Sequence, residues 1–185
     1  GARATATPSE EHLRRLYLRN GDYHNAFSHS IKALGEARTL GDSTSVREAY
    51  LALEQITYFY HNDDSLAMEY NRLVASSWDS REQAHQAVRA LNNRFNYTLS
   101  PDDVRDIISR SEEICHQYNF DDLLINIYLN ATFQELSFED AEASACYLAK
   151  AEPLIGNFKE EGYYYSAKGF YELSIGRSTE AIKSL

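Results

Sequence analysis

Four six-residue stretches repeat one pattern, and together they constrain the fold more than any other feature of the chain. Gly21-Asp22-Tyr23-His24-Asn25-Ala26 is a tight turn between two helical patterns, with Ala33-Leu34 one apolar stripe further along. Asn62-Asp63-Asp64-Ser65-Leu66-Ala67, Leu136-Ser137-Phe138-Glu139-Asp140-Ala141 and Gly176-Arg177-Ser178-Thr179-Glu180-Ala181 are similar turns. Their closing alanines lie 41, 74 and 40 residues apart. The middle interval is twice 37, so one more copy should close near residue 104. Val104 stands there, just after Ser100-Pro101-Asp102-Asp103. A serine N-cap followed by proline at the first helical position is a helix-start signal, because it satisfies an orphan amide and presets φ. Five copies of one helix-turn-helix unit then account for nearly the whole chain.

Apolar periodicity and breakers place the helices. Pro8-Ser9-Glu10-Glu11 opens the first, and Leu13, Leu16 and Tyr17 carry its stripe to about Asn20. The second runs from about Tyr23 to Leu40 and stops at Gly41-Asp42. The second pair has Leu51, Leu53, Ile56 and Tyr58-Phe59-Tyr60, then a helix from about Ser65 to Ser76, with Trp78 as a plug beyond it. The third pair spans Ser80 to about Tyr97 and Pro101 to Tyr118. The fourth carries Leu124, Ile125, Tyr128, Leu129 and Phe133, then Phe138 to about Ala151, ended by Glu152-Pro153. The fifth has Tyr163-Tyr164-Tyr165, Phe170 and Leu173, the Gly176 turn, and a helix that has barely begun. The expected fold is all-α, a right-handed superhelix (solenoid) of about ten helices over residues 8–185. Residues 1–7 read as a loose leader or tag remnant. A solenoid's last helix needs a polar outer face, so the short fifth unit reads as incomplete and the chain as a fragment of a longer protein.

Composition removes several function classes. With 43% hydrophobic and 12% aromatic residues the chain can bury a core. No apolar run approaches 18 residues, so no membrane span is expected. A net charge of -10, with no basic stretch, argues against a nucleic-acid partner. Cys115 and Cys146 fit no metal motif and read as buried free thiols, and the six histidines read as surface residues. Asp63-Asp64, Asp102-Asp103 and Asp121-Asp122 sit at helix starts, where capping explains them. Phosphate loops, dinucleotide fingerprints and nucleophile elbows are absent. Asn96-Tyr97-Thr98 and Asn130-Ala131-Thr132 match the glycosylation sequon, which matters only in a eukaryotic secreted context. The expectation is no enzyme, no cofactor and no metal, with the compartment left open.

These units resemble the tetratricopeptide repeat family. Leu13 and Tyr17 match in the first, Leu51 and Tyr58 in the second, Val88, Leu91 and Phe95 in the third. Ile125, Ala141, Ala145 and Pro153 match in the fourth, and Gly169 and Gly176 in the fifth. The units are longer than the family's 34 residues. Arg14, Gln55 and Asn92 replace its small glycine in the first three. The longer unit, with Leu40-Gly41-Asp42, is similar to repeats in the sensory portions of bacterial regulators.

The resemblance implies that first helices line a concave face. Counting back 15, 11, 8 and 7 from each closing residue assigns that face. It gives Glu11, Arg15, Leu18 and Arg19; Ala52, Ile56, Phe59 and Tyr60; Arg89, Asn93, Asn96 and Tyr97; Asn126, Asn130, Phe133 and Gln134; and Ser166, Phe170, Leu173 and Ser174. Asparagine can donate to and accept from a peptide backbone at once, and arginine can hold a carboxylate with two bonds. Arg89, Asn93, Asn126 and Asn130 partly resemble the family's clamp for peptide C-termini. The expected function is therefore a non-catalytic protein- or peptide-binding module, the sensory or scaffolding part of a larger bacterial signalling or transcription regulator. An uncapped C-terminal end would offer a route to a homo-oligomer. The alternative is a small-ligand receptor or α-helical enzyme with an aromatic pocket among Phe59, Tyr60, Tyr97 and Phe133.

Overall fold

A computed structural model describes residues 9–157 and 161–184. Among these residues there are ten α-helices and no strand. They are α1 (Glu10–Arg19), α2 (Tyr23–Leu40), α3 (Ser43–Ile56), α4 (Asp64–Ala75), α5 (Arg81–Asn93), α6 (Pro101–Tyr118), α7 (Asp121–Ser137), α8 (Ala141–Ala151), α9 (Glu161–Ser174) and α10 (Ser178–Ser184). None of them is long and apolar enough to cross a membrane.

The helix ends follow from local chemistry. Ser9, Asp22, Asp42, Asp63, Ser100 and Asp140 each accept the backbone N–H three residues on, which satisfies one orphan donor per helix. At Ser100 the bond is reciprocal, because Asp103 reaches back to the serine amide. Most stops use a left-handed residue: Gly21, Gly41, Asn62, Asn119, Glu139 and Gly176 have φ between 53° and 78°. The amide after it usually closes onto a carbonyl five residues back, as in Asp22 to Tyr17, Asp140 to Glu135 and Arg177 to Glu172. At Asp63 the reach is six residues, to Thr57, because α3 ends in a π-helical turn over Thr57–His61.

One buried position recurs through the chain. It is the fourth residue of each second helix, whose amide makes the helix's first bond, to the residue before the helix: Ala26 to Asp22, Ala67 to Asp63, Val104 to Ser100, Ser144 to Asp140 and Ala181 to Arg177. All five of these residues are 0% exposed. The fourth copy therefore closes on Ser144 and not on Ala141, which begins α8 and is only half-buried. Phe138, expected to open that helix, caps the end of α7 instead. Glutamate at the left-handed position gives no turn signal in sequence, and that shifted the expected register by three residues.

The chain divides into two compact units, with the boundary between Ala90 and Leu91, inside α5. In the first, α1 packs on α2, α2 on α3, and α3 on α4. Leu34, Ala49 and Leu53 form its core cluster, with Phe27, Val46, Tyr50 and Tyr70 against it. Hydrogen bonds join α3 to α5. Buried Arg47 donates to the Gln86 side chain at 3.1 Å, to the Gln83 carbonyl at 3.1 Å, and to the Val74 carbonyl. Gln83 in turn donates to Ser43 at 2.8 Å. Buried Asn71 donates to Glu54 at 2.7 Å and to the Ala90 carbonyl at 2.6 Å. Removing one partner of such a network leaves a buried polar group unsatisfied, which makes the α3–α5 spacing stiff.

In the second unit α6 packs on α7, α7 on α8 and also on α9, α8 on α9, and α9 on α10. α7 is accordingly apolar on nearly every side, with Leu124, Ile125, Ile127, Tyr128, Leu129 and Ala131 all buried. A polar tie joins three of these helices. Glu112 of α6 accepts from the Tyr128 hydroxyl of α7 at 2.9 Å and from Lys150 of α8 at 2.7 Å. Burial works to raise the Glu112 carboxyl, but the bonds from Lys150 and Tyr128 outweigh it and hold the group below the usual range.

Candidate functional site

In the first unit, side chains from α1, α3 and α5 converge on one face. Arg14, Arg15, Glu48, Leu51, Ala52, Gln55 and Arg89 line a cavity of about 270 Å³. A second cavity of about 280 Å³ shares Arg15 and Glu48 with it, and adds Ser9, Ala33, Glu36, Ala37, Leu40, Asp42, Thr44, Ser45 and Glu82. A third, of about 410 Å³, runs along α1 past His12, Arg15, Leu16, Leu18 and Arg19. Arg15 borders all three. Arg15 and Arg89, both expected on this face, border the central cavity together, and Arg19 borders the third.

Arg14 and Gln55 both line the central cavity. Arg14 is only 6% exposed. Glu48 accepts from Arg89 at 3.1 Å and from Gln86 at 3.1 Å, which fixes the carboxylate on the cavity wall. The sequence reading missed Arg14 and Glu48. Arg14 falls one residue outside the assigned face, and its length brings it back to the cavity. Glu48 lies a turn before the first position counted, and only its bonds across to α5 mark it.

The π-helical turn overturns part of the expectation for the second helix pair. Ile56, placed on the open face with Phe59 and Tyr60, is 1% exposed and belongs to the core. The face is counted back from Ala67 across this turn, so its extra residue shifts the count for residues before it, and Ile56 points inward while Phe59 and Tyr60, within the turn, point out. Phe59 is 65% exposed and meets Tyr58 edge-on at 4.8 Å; Tyr60 packs on Tyr23 at 5.4 Å. Tyr97 is likewise corrected: it lies beyond α5, after a 3-10 turn over Arg94–Asn96, and is 7% exposed. Asn96, in that turn, is exposed, and Asn93, at the end of α5, is half-buried.

In the second unit the asparagines are bonded within the fold. Asn126 donates to the Asp122 carbonyl of its own helix at 3.0 Å. Asn130 donates to Asn92 at 2.9 Å and accepts from the Tyr163 hydroxyl at 2.6 Å. Phe133 stacks on Tyr163 at 5.5 Å and meets Phe170 edge-on at 5.8 Å, with half of Phe170 in solvent. The arrangement is an aromatic step between α7 and α9 fixed by one tyrosine–asparagine bond, and Tyr163 was not among the expected site residues.

Other titratable groups offer little chemistry. Cys115 is buried, and burial, with Asp122 and Asp121 nearby, pushes its thiol up to about 12. Cys146 is exposed, against the expectation that both would be buried, and both are free thiols. His29 is half-buried too, stacked on Tyr17 at 5.1 Å and paired through Nδ1 with Glu10. Among the described residues, no three His, Cys, Asp or Glu side chains gather as a metal site would need. The chain matches no protein-family model, no curated protein and no solved structure.

Proposed function

We propose that the chain is a non-catalytic peptide-binding module, a right-handed solenoid of tetratricopeptide-like helix pairs serving as the sensory or scaffolding part of a larger signalling or transcription regulator. The face formed by α1, α3 and α5 holds the peptide in extended form. The observation that carries this reading is Arg15, which borders three cavities, two among first helices and one that reaches α2. Several shallow cavities around one residue suit an elongated ligand better than one compact molecule. The full burial of Ala26, Ala67, Val104, Ser144 and Ala181, each the fourth residue of a second helix, supports five equivalent units.

Selection of a random peptide library on the whole chain tests the proposal, with a photo-cross-linking residue placed at exposed Gln55 on this face or at exposed Arg72 on α4. Enriched peptides should cross-link from position 55 and not from position 72. Equal cross-linking from both positions, or no enrichment at all, overturns it.

A further inference from the structure

Leu136, Glu139 and Ala141, at the turn from α7 to α8, and Ser174, at the end of α9, line a cavity of about 260 Å³ in the second unit. None of the four is basic. The carboxylate of exposed Glu139 has no hydrogen bond or ion pair among the described residues. Its backbone is held by the bond from its own amide to the Leu136 carbonyl at 3.1 Å, with φ at 62° where the first and fifth copies use Gly21 and Gly176. Left-handed geometry costs any residue with a Cβ, and a side chain kept against that cost is a mark of a functional position. The Ser174 hydroxyl donates to the Tyr171 carbonyl at 2.7 Å, so its lone pairs are left to accept. The cavity therefore offers a carboxylate, a hydroxyl acceptor and apolar walls, a set that is complementary to a cation rich in N–H donors. Phe170 lies one helical turn before Ser174, about 6 Å back along the α9 axis. Half of Phe170 is in solvent, and it meets Phe133 edge-on at 5.8 Å, while Phe133 stacks on Tyr163 at 5.5 Å. The bond from the Tyr163 hydroxyl to Asn130 at 2.6 Å fixes these rings as an uncharged shelf one turn from the carboxylate.

We propose that this cavity and aromatic shelf dock an arginine side chain of a partner protein. The guanidinium enters the cavity and binds the Glu139 carboxylate through two parallel N–H bonds, with a further N–H for the Ser174 hydroxyl. The methylene stem lies back across Phe170, as long cationic side chains do when apolar surface adjoins the site of their charge. Lysine matches less well, because its ammonium is a compact, strongly hydrated point charge without the planar fork. A neutral hydroxyl ligand would leave the Glu139 charge uncompensated. The net charge of -10 adds a long-range attraction for a cationic segment. This site shares no residue with the face formed by α1, α3 and α5, so it goes beyond the peptide-binding reading above and does not depend on it.

The test titrates the whole chain, labelled with nitrogen-15, with acetylated and amidated pentapeptides of glycine and serine. Their central residue is arginine, lysine or citrulline, the neutral isostere of arginine, so no terminal charge contributes. Amide resonances of Leu136–Ala141 and Phe170–Ser174 should shift. The arginine peptide should bind a few-fold more tightly than the lysine peptide and at least about tenfold more tightly than the citrulline peptide. Two variants at exposed positions separate the contributions, and their spectra away from the site report that each is folded. Glu139→Gln should lower the affinity for the arginine peptide about tenfold, to the citrulline level. Phe170→Ala should weaken the arginine and lysine peptides alike by about two- to fivefold and keep the preference between them, since it removes only the contact with the stem. Equal affinity for arginine and citrulline, unchanged binding in Glu139→Gln, lysine bound as tightly as arginine, or shifts centred elsewhere would each overturn the proposal. Cross-linking from position 55 is independent of all these outcomes, so the two readings fail separately.

Discussion

Ser144 stands where the other four copies have Ala26, Ala67, Val104 and Ala181, and its hydroxyl is buried without a hydrogen-bond partner. A buried hydroxyl left unsatisfied costs about 1–3 kcal/mol, and alanine at this site keeps the shape that three of the other copies already use. Ser144→Ala should therefore raise stability by about 1 kcal/mol, read as a higher urea midpoint with an unchanged slope. A loss of stability would mean that the hydroxyl has a role beyond the repeat. Nine residues earlier, Glu135 is buried at the turn between α7 and α8. Burial raises its carboxyl above the ordinary glutamate value, Asp140 adds to this, and Arg105 opposes it. The folded chain then holds that proton more tightly than the unfolded one. Stability falls as pH rises from the ordinary value through the raised one, and the loss persists at neutral pH. Glu135→Gln should stabilise at pH 7 and be close to neutral below the ordinary glutamate range, as denaturation at the two pH values would show.

At the scale of elements, the helices were legible because their ends carry chemistry that sequence displays. Gly21, Gly41 and Gly176 announce left-handed stops, and Asp22, Asp42, Asp63 and Ser100 announce starts, so α2 and α6 lie where the pattern put them. Two features gave no such signal. Nothing in Thr57–His61 distinguishes a π turn from another turn of α-helix, since its cause is how Asp63 closes back on Thr57. The face assigned to Ile56 therefore failed. The other is Glu139, a left-handed glutamate with φ 62° where the equivalent residues are Gly21 and Gly176. Left-handed geometry costs a residue with a Cβ roughly 1–2 kcal/mol, part of which is offset by the entropy that a glycine loses on folding. Glu139→Gly should thus raise stability by about 0.5–1 kcal/mol, with Gly21→Ala lowering it by about 1 kcal/mol in the same calorimetric series. If Glu139→Gly destabilises, the side chain makes a contribution that outweighs its backbone strain. The candidate site was legible to the extent that Arg15, Arg19 and Arg89 were counted onto it. Arg14 and Glu48 were not, because side-chain length and a bond across helices decide their placement, and periodicity encodes neither.

The whole molecule carries a net charge of -10, and that excess acts over distances that single contacts do not. Ion pairs among the described residues are partly exposed, as in Arg89 with Glu48 at 3.1 Å and Lys150 with Glu112 at 2.7 Å. Pairs open to solvent contribute about 0–1 kcal/mol each, and charges closer than the screening length are shielded less than distant ones. Repulsion among the unbalanced carboxylates is different, because it extends across many ångströms and destabilises the compact state. The screening length falls from ~30 Å at 0.01 M salt to ~10 Å at 0.1 M, which removes the long-range repulsion and leaves the close pairs nearly intact. The thermal midpoint of the free chain should rise over that interval. Melting curves at 0.01 M and 0.1 M would measure the shift. A midpoint that drops with salt would show that the ion pairs outweigh the self-repulsion.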